Sequence, residues 1–188
     1  MRLHFVPAAL TLPTAVEAFQ AMYAALGGTD AWREEGRTPL DDPNWGKPQA
    51  REVVYGAGDA TLVERVQAAS GNPRDGWGYE VILRLDWARP GGPTRIEARS
   101  GGWEPCPREL LIEVCGVSGA ELGALRGALR AKFGPDADRS HDACWAWTNV
   151  QALARAADLA TARAWAEEGR ARNKAGTSGR QELVAWLG

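Results

Sequence analysis

The sequence predicts an α+β fold: a central antiparallel β-sheet flanked by helices, with a C-terminal helical segment. Two observations carry this. Residues 79–117 hold three apolar stretches joined by short Gly/Pro-rich turns, the pattern of an antiparallel meander. On either side, residues 14–28 and 118–136 place their large apolar residues at helical spacing.

In chain order, residues 2–6 (RLHFV) read as a short first strand. Pro13 then leads into TAVEAFQAMYAALGG, where Val16, Phe19, Met22, Tyr23 and Leu26 share one helical face and Gly27-Gly28 supplies the stop. Thr14 and Glu17 stand in capping-box register. Residues 29–49 (TDAWREEGRTPLDDPNWGKPQ) are rich in Pro, Gly and charge and read as a long ordered loop. REVVYG follows as a strand, and DATLVERVQAAS as a short helix capped by Asp59 and ended by Gly71.

The middle of the chain is clearer. In YEVILRLDW, Tyr79, Val81, Leu83, Leu85 and Trp87 alternate with Glu80, Ile82, Arg84 and Asp86, as a strand with one buried face requires. TRIEARS and ELLIEVCGV continue the meander, the latter apolar enough for a more central place. SGAELGALRGALRAKFGPD is a helix with a stripe of Leu122, Leu125, Leu129 and Phe133, a capping box of Ser118 and Glu121, and a Gly134-Pro135 stop. Two further capping-box spacings, Thr148 with Gln151 and Ser178 with Gln181, open the alanine-rich helical stretches of the tail. The expected organisation is a sheet domain over residues 1–139 and a helical segment over 140–188 packed on it as one unit.

Length and charge narrow the function classes. A chain of 188 residues suits one hydrophobic core. With 24% charged residues and a formal net charge of −2, it has no basic field to attract nucleic acid or an anionic membrane, and neither is expected as a partner. The apolar stretches fall short of the roughly 20 residues a bilayer span needs. The N-terminal stretch lacks a continuous apolar run, so no signal peptide is read there. Three cysteines, Cys106, Cys115 and Cys144, have no paired spacing and suit reduced thiols in the cytoplasm.

Two segments invite a catalytic reading. SHDACWAW (140–147) crowds His141, Asp142 and Cys144 together, but a complete zinc sphere has no further partners nearby, and the favoured role is a junction anchored by Trp145 and Trp147. EVCGVSGAEL is close to the G-x-S-x-G elbow of esterases, with Ala120 in place of the last glycine. Asp136, Asp138 and His141 follow Ser118 too soon for that fold, and the N-cap role suffices for the serine. No phosphate-binding glycine motif occurs, and the tail arginines Arg155, Arg163, Arg170 and Arg172 are offset by Asp158, Glu167 and Glu168. No catalytic residues, metal or cofactor are therefore expected. The alternative is a small hydrolase using Ser118 or Cys144 with His141.

Nine tryptophans are the unusual feature, several of them (Trp32, Trp45, Trp77, Trp103) in Gly- or Pro-flanked stretches. Such residues either close a core or anchor an interface. With Glu34, Glu35, Asp41 and Asp42 beside them, Trp32, Trp45 and Trp103 make a candidate partner-binding surface.

Three segments, AVEAFQAMYAALGGTDAWREEGRTP, RIEARSGGWEPCPRELLIEV and GAELGALRGALRAKFGPDAD, resemble the bacterial immunity proteins that neutralise toxins delivered between cells, in particular the immunity protein 52 family. The likeness lies in a helix ending near a W-x-x-x-G turn (Trp32 to Gly36), a strand closed by a Gly-Gly turn, a second apolar strand, and a helix ending at Phe133, Pro135 and Asp136. It covers roughly residues 14–138, and the alanine-rich tail departs from the family pattern. The resemblance implies a cytoplasmic, non-enzymatic inhibitor that covers the active site of a cognate protein toxin.

Overall fold

The computed structural model describes residues 2–42, 49–69, 78–102 and 104–140. The elements are β1 (Arg2–Phe5), α1 (Leu12–Ala25), β2 (Arg33–Pro39), β3 (Arg51–Ala57), β4 (Ala60–Ala68), β5 (Tyr79–Arg89), β6 (Gly92–Gly102), β7 (Leu110–Cys115), α2 (Gly119–Phe133) and a 3₁₀ turn at Pro135–Ala137. The strands form one sheet in the order β1-β7-β6-β5-β4-β3-β2, every pairing antiparallel. This is the α+β class expected, with a meander of six strands and β1 closing the far side. The tail helices expected over 140–188, and the stop at Gly71, lie outside the described residues.

Side-chain parity builds the core. Pairing places Leu3, Ile112, Ala98, Leu83, Glu64 and Val53 in one row across six strands. All six are buried, and the rows on either side carry Phe5, Leu62, Val66, Val81, Leu85 and Ile96 on the same inner face. Phe19 and Met22 of α1 and Leu122, Leu125 and Leu129 of α2 join that face in a single cluster, with the two helices packed on each other. Each such side chain contributes about 1.5–3 kcal/mol by leaving water. The outer face is a lattice of charged pairs, including Glu52 with Arg65 at 3.5 Å, Asp86 with Arg95 at 2.6 Å and Glu97 with Arg99 at 2.7 Å.

Three sequence expectations need correction. Residues 60–68 form strand β4, not a helix: Ala60, Leu62, Glu64 and Val66 are buried while Thr61 is exposed and Val63 and Arg65 are half-buried, and both neighbours pair with the strand along its length. Its entry is a two-residue turn in which Gly58 takes φ 56°, the glycine position of a II′ hairpin. Residues 33–39 form strand β2, where a loop was expected. Helix α1 starts three residues early, with Thr11 as N-cap bonded reciprocally to Thr14, so Thr14 is the third helical residue and not the cap.

Helix α2 follows the sequence reading, with Ser118 and Glu121 in a reciprocal capping box. Its entry is locked by Gly116, φ 75°, where a Cβ would lie 2.0 Å from the Pro93 carbonyl oxygen. After α2 the chain returns to β1. Val6 N donates to Ala137 O at 2.8 Å and Arg139 N to His4 O at 2.7 Å, so residues 137–139 line the open side of β1. Among the described residues no helix is long and apolar enough to cross a membrane.

Candidate partner-binding surface

The β2–β3–β4 end of the inner face carries polar side chains where the rest of that face is apolar. Glu64 occupies a core position in the row between Val53 and Leu83 and is 5% exposed. A carboxylate so placed is tolerated only with donors at hand. Arg51 Nη2 donates to Glu64 Oε1 at 2.9 Å, and Tyr55 OH donates to Oε2 at 3.2 Å. Burial, followed by the adjacent Glu64 charge, pushes the Tyr55 phenol up to about 12.

Strand β2 borders this cluster, and all seven of its residues are exposed. A β-bulge between Glu34 and Gly36 brings the Glu34 and Arg37 side chains together in a two-point ion pair, Nε to Oε1 at 3.0 Å and Nη2 to Oε2 at 2.9 Å. Those hydrogen bonds hold the Glu34 carboxyl below, and the Arg37 guanidinium above, their usual ranges. Glu35, the inserted residue, lays its carboxylate over Gly56, where a Cβ would stand 2.0 Å from Oε1. Between the strands lies a cleft of about 300 Å³ lined by Arg37, Pro39, Gln49, Ala50 and Arg51. Its two guanidinium groups are matched by Glu34 and Glu64, so the cleft offers a neutral field rich in hydrogen-bonding groups.

The structure distributes the sequence-predicted site residues unevenly. Glu34, Glu35 and Asp41 are exposed, and neither Glu35 nor Asp41 makes an ion pair among the described residues. Asp42 ties the chain after β2 to the start of β3 and to β5: its Oδ2 accepts from Gln49 N at 2.7 Å, Ala50 N at 3.0 Å and Tyr79 OH at 3.0 Å. Trp32 packs edge-on against Tyr23 at 5.0 Å as a half-buried lid on the core, and Trp87 meets the same ring at 4.7 Å. Trp45 and Trp103 lie outside the described residues, as do His141 and Cys144. Glu64, Arg51 and Tyr55 were missed by sequence reasoning. Their signal, an acidic residue at inward parity, is readable only once 60–68 is known to be a strand.

Ser118 is fully engaged as a cap. Its hydroxyl donates to Glu121 Oε2 at 2.9 Å, and its backbone amide reaches the same oxygen at 2.7 Å. Glu121 is also paired with Arg89, whose Nη2 donates to Gly116 O at 2.8 Å. The Arg89 hydrogen bond, with those from Ser118, holds the Glu121 carboxyl down to about 2. His4, the histidine among the described residues, pairs with Glu109 at 2.8 Å. Cys106 and Cys115 are free thiols.

The fold and surface define an α+β protein with helices on one sheet face and an exposed, charged hairpin at one end. Comparison with family models, curated proteins and solved structures finds no match.

Proposed function

We propose that the chain is a non-enzymatic cytoplasmic binding protein that inhibits a cognate bacterial toxin, docking through the β2–β3 end of the sheet. The observation that carries the proposal is the fixed charge at this end: Glu34 and Arg37 are held in a two-point pair on β2, and Glu35 and Asp41 are exposed and make no ion pair among the described residues. A docking partner gains most where charged groups are already fixed and need no ordering. The choice of a toxin as that partner comes from the resemblance to immunity proteins, and the capping role that occupies Ser118 agrees with a binding rather than a hydrolytic part for the chain.

The test is co-expression with the toxin-like product of the adjacent gene. The expected result is a purified complex, restored growth, and at least tenfold weaker binding for the double variant Glu35→Lys, Asp41→Lys at unchanged melting temperature, about 1.4 kcal/mol of binding energy. Absence of a complex and of growth rescue contradicts the proposal.

A further inference from the structure

Strand β2 ends the sheet, paired among the described strands with β3 alone. Leu40 N donates to Ala50 O at 3.0 Å, continuing the β2–β3 register and marking that position as hydrogen-bonded. Alternation then assigns Thr38 and Gly36 to β3 and turns the amide groups of Arg37 and Pro39 outward. Pro39 fits that parity, since its missing N–H is tolerated only on the outer side of an edge strand. From the other direction, the Gly58-Asp59 hairpin closes on Ala57 and Ala60, which commits Tyr55 to β4. Glu34, opposite Tyr55, therefore also faces its backbone outward. The bulge leaves two residues, Glu35 and Gly36, between these outward positions.

A two-fold axis placed between Glu35 and Gly36 sets Glu34 of one copy opposite Arg37 of the next, and Arg37 opposite Glu34. Both side chains lie on the inner face, over Tyr55 and Val53, so opposite charges meet directly at both places. The identical bulges face each other and leave the spacing in step. We propose that two copies of this chain pair antiparallel through β2, joining their sheets edge to edge around a four-membered Glu34/Arg37 cluster. Exposure of all seven β2 residues leaves the edge free to do so, and the partner's charges are known because they are this chain's own. The pairing rests on the backbone parity and charges of β2 and not on the proposed toxin docking.

The test is the mass of the full chain by light scattering at micromolar concentration. The wild type is expected to be a dimer. Arg37→Glu makes the edge wholly acidic at these two positions, and Glu34→Arg makes it wholly basic. Each variant alone is expected to be monomeric, with dimerisation weakened roughly tenfold or more. Mixing the two is expected to restore a one-to-one dimer, an outcome that loss of folding cannot produce. A monomeric wild type, or a dimer unaffected by either variant, overturns the proposal, as does failure of two folded variants to associate.

Discussion

The two edges of the sheet are finished in opposite ways. At β1 the chain returns after α2 and lays residues 137–139 along the strand, with Asp138 fully buried. Asp138 takes 2.6 Å and 2.9 Å hydrogen bonds from Arg126 Nε and Ser140 N, with Arg130 at 3.7 Å. At β2 no described strand pairs with the outer edge, and all seven residues of the strand are exposed. An uncovered edge invites pairing, which proteins restrain with charges, bulges and proline. Here β2 has all three, yet its charges alternate so that a second copy meets attraction. The difference teaches that one edge is sealed by the chain's own fold, through a buried charge network, while the other is kept for an external strand.

That contrast is sharpest in stability. Asp138→Ala removes the buried acceptor of Arg126 Nε and Ser140 N and is expected to cost about 3–5 kcal/mol in urea unfolding. Glu64→Ala removes the shared acceptor of Arg51 and Tyr55 beside the open edge. It is expected to cost about 1–3 kcal/mol, less because Arg51 retains access to solvent. A loss at Glu64 equal to that at Asp138 would mean that the β2 end is as closed as the β1 end.

Alkaline pH reports on the same end of the sheet. Burial and the Glu64 charge favour the neutral Tyr55 phenol in the folded chain, so its titration is raised from 10 to about 12. The stabilisation is complete below pH 10 and is lost as pH rises through 12. Tyr55→Phe is expected to remove that component of the alkaline loss, read by urea unfolding across this window. An unchanged slope would place the Tyr55 hydroxyl away from Glu64. The smallest effect is expected from Glu35→Ala, within about 0.5 kcal/mol of wild type, because the side chain lies on an exposed strand without an ion pair among the described residues.

The same contrast explains what the sequence disclosed. Helix α2 and strand β5 were legible because each buries one face, so periodicity and capping residues agree. Strand β2 was read as a loop because a strand exposed on both faces has no alternation to display. Strand β4 was read as a helix because Glu64 interrupts its inward apolar row, while Asp59 imitates a cap and Leu62, Val63 and Val66 approximate helical spacing. Only the donors on β3, Arg51 and Tyr55, make a carboxylate acceptable there, and they are distant in sequence. The exposure of Glu34, Glu35 and Asp41 was legible from their charge, whereas Trp32 rests on the core. The capping role of Ser118 was legible because it is local, fixed by a residue three positions away.

Amide hydrogen exchange across a concentration series tests the account of the two edges most directly. The Val6 and Arg139 amides, bonded to Ala137 O and His4 O, are expected to stay protected at every concentration. The Glu34 and Arg37 amides are expected to exchange freely when dilute and to become protected as the protein is concentrated and β2 pairs. Exchange of Glu34 and Arg37 at the free-chain rate throughout, or loss of protection at Val6 and Arg139, would contradict it.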